Sequence, residues 1–214
     1  MEMRVLILTT DVWSVGGIER YSRSFCWALA LAAPESERWL ISARPRPNGV
    51  ADPKLGCPIL LTKGPTTWTA RKLWLAAIFP LLALRLRPTH LFALHINLAP
   101  LAQWAAKMTG ASYSVVVYGI EVWGTLSYLK QRSLRDAKKV IALSHFTAEV
   151  VRQRHGIPEH QFALLPAITD LPLINAQVSF PHVPTLLTVG RMESCERYKG
   201  HEVVLKAMSQ VLRH

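Results

Sequence analysis

The chain alternates between short apolar runs and longer stretches in which apolar residues recur at helical spacing. The runs are typical of buried parallel strands and lie at residues 4–9, 39–42, 59–61, 90–94, 114–118, 140–143 and 162–165. Ile18, Tyr21, Phe25 and Leu29 show the helical spacing after the first run. Regular alternation of this kind predicts an α/β fold, a doubly wound, Rossmann-like parallel sheet with helices on both faces.

Two further helices are defined by their ends or their length. Ser144 is a capping residue for a helix that runs to His155 and ends at Gly156. Residues 73–86 form the longest apolar block, but it contains Pro80 and is shorter than the roughly 20 residues of a membrane-spanning helix. We therefore expect this block to be a buried or surface-lying helix.

A second strand–turn–helix unit begins near the end of the sequence. Residues 186–189 predict a buried strand, Gly190 predicts a turn, and residues 200–213 predict a helix. The stretch before them is rich in proline and has no periodicity, which is typical of an interdomain linker. We expect a Rossmann-like domain over residues 1–169, a linker over 170–184, and the first unit of an incomplete second domain over 185–214.

Charge is distributed unevenly along the chain, whose net formal charge is +11. No acidic residue lies between Asp52 and Glu121, whereas the basic residues there are Lys54, Lys63, Arg71, Lys72, Arg85, Arg87 and Lys107. A second basic cluster comprises Lys130, Arg132, Arg135, Lys138 and Lys139. These runs indicate either contact with anionic membrane headgroups or a solvated basic face. We expect no nucleic acid partner, because no zinc finger, RNP aromatic motif or heptad zipper accompanies them.

Cysteine usage and the first residues bear on the compartment. Cys26, Cys57 and Cys195 form neither a C-x-x-C pair nor an even set, which argues against a disulfide framework and for a reducing environment. The first residues lead directly into a strand and do not have the pattern of a secretory signal. We expect a cytoplasmic protein, with peripheral contact at the inner membrane face if the basic surface binds lipid.

Several chemistries lack their motifs. The aspartates form no Asp-x-Asp pair, which is the usual carboxylate ligand pair for the metal of a sugar-nucleotide enzyme. The sequence also has no H-E-x-x-H, P-loop lysine, G-x-S-x-G or G-x-G-x-x-G motif. Metal hydrolases, P-loop kinases, serine hydrolases and dinucleotide oxidoreductases are therefore disfavoured, and we expect neither a metal nor a cofactor.

Candidate binding residues follow the predicted strands, because ligands of open α/β sheets bind beyond the carboxyl ends of the strands. Gly16 and Gly17 follow the first strand and suit either a phosphate-facing loop or a plain tight turn. Arg191 and Lys199 lie beside the N-terminus of the last helix. There they predict either a diphosphate site or a solvated basic turn.

Two more candidates follow the fourth and fifth strands. His95 is expected either to hydrogen-bond a polar ligand or to cap the following helix. Glu121 is expected either to accept hydrogen bonds from hydroxyls or act as a base, or else to serve as a cap or an ion-pair partner.

Taken in order, these pieces resemble the family 4 retaining glycosyltransferases, which have the two-domain GT-B fold. The resemblance spans essentially the whole chain, and its last element is the most specific. It is carried by GGIERY at 16–21, LRP at 86–88, HINLAP at 95–100, YGIEVW at 118–123, SHFT at 144–147, and the segments at 165–170 and 190–200.

The resemblance implies a nucleotide-sugar donor, metal-independent transfer with retention, and a glycan or lipid-linked acceptor. Without a metal, fixed cations and N–H donors must stabilise the departing diphosphate. The residues implied for that diphosphate are Gly16 and Gly17 from the first domain and Arg191 and Lys199 from the second. The residues implied for the acceptor or sugar cleft are His95, Asn97, Tyr118 and Glu121.

Two features depart from the family pattern. Many relatives carry histidine where Tyr118 stands, at a position that contacts the donor sugar, which implies either an altered sugar choice or a subgroup. The family's paired glutamates are absent, and Glu193, Glu196 and Glu202 cannot replace them because none follows a strand end deep in a second sheet. The catalytic residues therefore stay unassigned.

This departure leads to two expectations for activity. The isolated chain is expected to transfer little sugar, because its donor domain needs completion, for example by a second chain. The alternative is a non-catalytic module that binds a membrane or a partner.

Overall fold

A seven-stranded parallel sheet forms the centre of the fold, in the order β3-β2-β1-β4-β5-β6-β7. The computed structural model describes residues 3–167, 183, 185–190, 192, 197 and 199–211. The strands are β1 (Arg4–Thr9), β2 (Glu37–Ser42), β3 (Ile59–Leu60), β4 (His90–Ala93), β5 (Ser112–Val117), β6 (Lys139–Ala142) and β7 (Phe162–Leu164). All the strands predicted within residues 4–165 are confirmed, with small shifts at their ends.

Helices lie between most of these strands, as the spacing of apolar residues predicts. They are α1 (Gly17–Ala32), α2 (Trp68–Leu86), α3 (Ala99–Thr109), α4 (Ile120–Trp123), α5 (Tyr128–Arg135), α6 (His145–His155) and α7 (His201–Val211), with short 3-10 turns at Ile96–Leu98 and Glu159–Gln161. The predicted ends of α6 are confirmed. Ser144 Oγ accepts a hydrogen bond from Thr147 N at 3.1 Å, and Gly156 ends the helix in the left-handed region with φ of 65°.

Alternate residues of β1 enter two apolar layers, one on each face of the sheet. Val5 and Ile7 pack in a cluster that includes the α1 residues Tyr21 and Cys26. Their neighbours along the strand face the opposite layer, which takes in side chains of α2, α3, α5 and α6. Helices therefore cover both faces, as in a doubly wound sheet.

Cys26 and the half-buried Cys57 are free thiols.

The connections reverse direction next to β1. From β1 the chain continues to β2 and β3 on one side, whereas from β4 it continues to β5, β6 and β7 on the other. β1 and β4 are hydrogen-bonded neighbours, so the loops that follow them diverge from adjacent points. The carboxyl ends of β1 and β4 are therefore the topological switch point of the sheet, which is the usual ligand position in such folds.

Helix α2 is a surface-lying helix with one face in the core. Leu75, Phe79 and Ala83 are buried against the sheet, and Pro80 lies within the helix. No helix in the described ranges is long and apolar enough to cross a membrane. The expectation of a buried or surface-lying helix is therefore confirmed.

Arg71 does not belong to the basic surface that the sequence composition predicts. Its side chain is 1% exposed, and its guanidinium donates hydrogen bonds to backbone carbonyl groups of the last residue of β2 and of the residues that follow β2 and β3. The reason is geometric, because the first turn of α2 lies against the chain segments that leave those two strands.

Residues Leu171–His214 form a compact unit distinct from Met1–Asp170. Its predicted helix is confirmed as α7, none of whose described side chains is buried. The strand predicted at 186–189 is wrong, because that segment is exposed and has no regular secondary structure. A strand needs a neighbour for its N–H and C=O groups, and the described residues of this unit include none. The predicted linker, apart from residue 183, and Cys195 lie outside the described residues.

The ring of His90 makes stability depend on pH. Nδ1 lies 2.6 Å from Ser112 Oγ and Nε2 lies 3.0 Å from Ser114 Oγ, and burial together with the charge of Lys138 lowers the pKa of His90 to about 4. In the unfolded chain the pKa is about 6.5. Between these values the unfolded state binds more protons, so acidification favours unfolding.

We predict that the stabilisation by neutral His90 is complete above about pH 6.5 and is lost as the pH falls through about 4. We expect a loss on the order of 1–2 kcal/mol, which is less than the full linkage value because the ring is only partly buried and water screens it. Urea unfolding of the wild type and His90→Gln at about pH 7.5 and about pH 5 measures it, and the variant should lose less stability. Equal losses would rule out His90 as the cause.

Candidate functional site

The loop between β1 and α1 is held in one shape by polar side chains. The carboxylate of buried Asp11 accepts hydrogen bonds from Trp13 N at 2.9 Å and from Ser14 Oγ at 2.5 Å. From α1, Arg23 Nη1 donates to the carbonyl groups of Val12 at 3.0 Å and of Ser14 at 3.1 Å. The backbone that leads into α1 is therefore pre-organised.

Gly16 and Gly17 stand where this loop enters α1. Gly16 is the N-cap residue in an extended conformation, and a Cβ there would overlap the carboxylate of Glu19. A Cβ on Gly17 would meet no atom within 4 Å. The first glycine therefore makes room for an acidic side chain, and the second leaves the helix N-terminus open to close approach by a ligand.

A surface depression of about 820 Å³ adjoins the two glycines. Its basic residues are Arg20, Arg23 and Lys54, and the indole of Trp27 also lines it. The N-terminus of a helix and basic side chains both favour an anion, whereas the Glu19 carboxylate beside Gly16 opposes one.

His95 caps the turn that follows β4. Its Nδ1 accepts a hydrogen bond from Asn97 N at 3.1 Å, so the proton of the neutral ring resides on Nε2. Burial lowers the pKa of His95, while the charges of Glu121 and Glu19 act in the opposite direction. The structure thus shows His95 in the capping role, and its Nε2–H is the ring donor that this cap leaves uncommitted. The side chain of Asn97 is exposed beside it.

Tyr118 follows β5 and packs against the ring of His95, with 6.1 Å between the ring centroids. Its hydroxyl donates to the Leu94 carbonyl at 3.0 Å, and its ring meets Tyr21 edge to face at 5.4 Å. Burial raises the pKa of the Tyr118 phenol, so the group is neutral at physiological pH. Tyr118 therefore joins the ends of β4 and β5.

Glu121 braces the loop after β5. Its carboxylate accepts hydrogen bonds from Tyr118 N at 2.6 Å and from Gly119 N at 3.0 Å, one to each oxygen. This is the capping alternative among the roles that the sequence left open. Glu121 therefore fixes the backbone at Tyr118 and so helps to position the Tyr118 ring.

Sequence reasoning missed three kinds of residue at this edge of the sheet. Glu19 places a carboxylate beside Gly16, and Tyr21 donates to the Leu165 carbonyl at 3.1 Å, which joins α1 to the end of β7. Burial raises the pKa of Tyr21 to about 12. Trp123 and Phe146 form an exposed edge-to-face pair at 5.3 Å. All four lie in segments singled out by the sequence, but their roles depend on contacts between strand ends.

The residues predicted in the second unit are only partly described. Lys199 is exposed two residues before α7, and Arg191 lies outside the described residues. The structure therefore brings Gly16, His95, Tyr118 and Glu121 to one edge of the sheet. The role of Arg191 and Lys199 as diphosphate-binding cations stays a prediction.

Within the described residues no cluster of three or more His, Cys, Asp or Glu side chains could hold a metal ion.

Comparison with known proteins shows the fold. No family model and no curated protein sequence matches the chain. Among solved structures, the lipopolysaccharide outer core galactosyltransferase WaaB in its apo form matches with a TM-score of 0.59 at 11% identity, over 80% of this chain and 48% of WaaB. Sucrose-phosphate synthase from Thermosynechococcus elongatus matches with a TM-score of 0.59 at 17% identity, over 78% of this chain and 49% of its own.

A third match is HepE from Anabaena in complex with UDP-glucose, with a TM-score of 0.52 at 14% identity, over 77% of this chain and 44% of HepE. The chain therefore spans about half the length of the structures that it matches. These similarities show a Rossmann-like domain of the GT-B type, as the sequence predicts.

Proposed function

We propose that this chain is the acceptor-side domain, with the beginning of the donor domain, of a family 4 retaining glycosyltransferase that uses a nucleotide-sugar. The observation that carries the proposal is the topological switch between β1 and β4 in a GT-B type domain. The Gly16–Gly17 loop and His95 follow these two strands, and Gly17 leaves space beside the N-terminus of α1. HepE holds UDP-glucose in its solved structure, which supports a nucleotide-sugar as the donor class.

The donor diphosphate is proposed to lie against the Gly16–Gly17 loop. Transfer of the sugar leaves negative charge on the nucleoside diphosphate, and fixed N–H dipoles and cations stabilise such charge without rearranging during the reaction. The loop is pre-organised by Asp11 and Arg23, so its N–H groups keep their direction. Arg191 and Lys199 are the cations proposed from the second unit, with no metal taking part.

The residues that follow β4 and β5 are proposed to recognise hydroxyl groups of the sugar or the acceptor. His95 supplies a neutral Nε2–H donor, because its Nδ1 is already committed to Asn97 N. Tyr118 and Glu121 act through position, since the phenol is bonded to the Leu94 carbonyl and the carboxylate to backbone N–H groups. The exposed amide of Asn97 is the further polar group at this point.

The acceptor is proposed to be a glycan or a lipid-linked glycan reached from the cytoplasm. The paired glutamates of family 4 enzymes do not occur in this sequence, so we expect the isolated chain to transfer little or no sugar without a completed donor domain. This chain would then contribute acceptor binding and one side of the diphosphate site.

Titration of the labelled chain with UDP-glucose, followed by amide NMR, tests the proposal. We expect shifts at Gly16, Gly17 and their neighbours, and Gly17→Val should weaken the binding about tenfold because a branched side chain covers the helix N-terminus. Ala76→Val adds the same side chain at an exposed position on α2 and should leave the binding unchanged.

Two results would contradict the proposal. Shifts that avoid the Gly16–Gly17 loop, or equal affinity in the two valine variants, would place the nucleotide elsewhere. Robust transfer or hydrolysis of UDP-glucose by the isolated chain would show that the donor domain needs no completion.

A further inference from the structure

Helix α2 has a second apolar face that the core does not use. Leu73, Leu81 and Leu84 are 74%, 65% and 41% exposed, whereas the opposite side of the helix is buried against the sheet. Leu73 and Leu84 are eleven residues apart, which is close to three helical turns, so the exposed leucines share one stripe. A soluble domain rarely leaves such a stripe in water without a use for it.

The stripe continues onto α3. Leu84 and the exposed Met108 line one depression of about 660 Å³, together with Arg4 and Arg87. Trp104 is exposed one turn before Met108 on α3. We call these apolar residues the α2–α3 surface, which comprises Leu73, Leu81, Leu84, Trp104 and Met108.

The surroundings of the α2–α3 surface are basic. Arg85 and Arg87 lie at the carboxyl end of α2, and Arg4 lines the depression beside them. The sequence contains no Asp or Glu from residue 53 to residue 120. Lys107 lies 3.5 Å from Asp136 of the neighbouring segment, which offsets its charge. Arg71 is buried and contributes no surface charge.

The charges around the α2–α3 surface distinguish between three partners: a second copy of the chain, a nucleic acid and a lipid bilayer. A second copy of this chain would bring like charges together at the rim, which costs free energy. Nucleic acid would suit the arginines but would leave the leucines without a role. A bilayer that contains anionic lipids satisfies both features, because apolar side chains enter the boundary between headgroups and acyl chains while cations meet the phosphates.

We propose that the α2–α3 surface docks on an anionic phospholipid bilayer. Leu73, Leu81 and Leu84 enter the boundary region, and Arg85 and Arg87 bind lipid phosphates. α2 then lies in the plane of the membrane. The docking depends on this surface alone and stands whether or not the chain belongs to a glycosyltransferase.

Co-sedimentation of the full chain with vesicles tests the docking. We expect binding to phosphatidylcholine vesicles that contain about 30% phosphatidylglycerol, and about tenfold weaker binding to pure phosphatidylcholine. Raising NaCl from about 50 mM to about 500 mM should weaken the binding, because salt screens the arginines.

Variants with matched controls identify the surface. Arg85→Gln with Arg87→Asn, and separately Leu81→Ser with Leu84→Ser, should each weaken the binding about fivefold or more. Arg152→Gln with Arg154→Gln removes the same charge from α6, and Leu31→Ser with Leu129→Ser removes exposed leucines elsewhere. Both controls should bind like the wild type. Asparagine is chosen at position 87 because that residue has φ of 47°.

Fluorescence quenching by brominated lipid tests the docking on the wild-type chain, so it does not depend on how the charge variants fold. Brominated phosphatidylglycerol should quench part of the tryptophan emission of the wild type, and Trp104→Phe should remove that part. Equal binding to neutral vesicles, equal losses in the control variants, or no quenching would overturn the proposal. So would a lipid-free dimer that Leu81→Ser with Leu84→Ser dissociates, because the surface would then bind a second copy.

Discussion

Replacing Arg71 with alanine should lower the free energy of unfolding by about 3–5 kcal/mol, because it leaves backbone carbonyl groups without their donor. The guanidinium makes four hydrogen bonds to backbone carbonyl groups. The acceptors are Ala43 O at 3.1 Å, Lys63 O at 2.8 Å, Ser42 O at 3.2 Å and Leu61 O at 2.8 Å. It also stacks on Trp74, with 4.5 Å between Arg71 Cζ and the ring centroid.

The size of this effect follows from what remains when the side chain is removed. The four carbonyl groups belong to the end of β2 and to the segments that follow β2 and β3. Each buried carbonyl without a partner costs about 1–3 kcal/mol unless water replaces the donor. Water entering the new space recovers part of that cost, so the effects do not sum fully. Burial also lowers the pKa of Arg71, because the charged guanidinium has lost water that the four carbonyl groups replace.

Urea unfolding of Arg71→Ala, Arg71→Lys and Arg85→Ala measures the effect. Arg71→Lys should also be destabilised, because one ammonium group cannot reproduce the planar fork that reaches carbonyls on three sides. Arg85→Ala removes an exposed arginine from the same helix and should change stability by less than about 0.5 kcal/mol. A change below about 1 kcal/mol for Arg71→Ala would show that water satisfies the carbonyl groups.

Arg71 also shows what sequence reasoning misses. The strands of the first domain were predictable, because parallel strands buried on both faces are continuous apolar runs and the helices between them keep their own spacing. Charge was not predictable in the same way. A run without acidic residues indicates a basic surface, yet it cannot show that carbonyl groups from two distant segments converge on one of its arginines.

The candidate site was predictable in position and less so in role. His95 and Glu121 follow strands that neighbour the switch between β1 and β4, so the sheet pattern alone brings them to one edge. Their roles as cap and brace depend on backbone groups within three residues, which is why those alternatives could be foreseen. The position of Glu19 depends on the missing Cβ of Gly16, and no spacing in the sequence shows that.

Replacing Glu121 with alanine is expected to lower the free energy of unfolding by about 2–3 kcal/mol. Both carboxylate oxygens accept backbone hydrogen bonds, from Tyr118 N and Gly119 N, and hydrogen bonds to a charged acceptor are stronger than neutral ones. Alanine leaves two N–H groups without this acceptor. Partial exposure of Glu121 lets water replace some of the loss, which keeps the effect below that for Arg71.

Glu121→Gln separates the two roles of the side chain. Glutamine keeps one oxygen acceptor but places an NH₂ group against the second N–H, so its loss of stability should lie between those of the wild type and alanine. Glu149→Ala on α6 is the matched control, because that carboxylate pairs only with exposed residues among the described part of the chain, and its unfolding midpoint should not change measurably. Urea midpoints and near-UV circular dichroism of the tyrosines measure both effects.

The same variants show whether Glu121 acts through Tyr118. If the brace positions that residue, Glu121→Ala should also weaken the hydrogen bond from Tyr118 Oη to the Leu94 carbonyl, and Tyr118→Phe should then cost less stability in the alanine background than in the wild type. Additive losses would show that the two contacts are independent. In that case the contact between Tyr118 Oη and the Leu94 carbonyl does not depend on Glu121, and the carboxylate holds only its own turn.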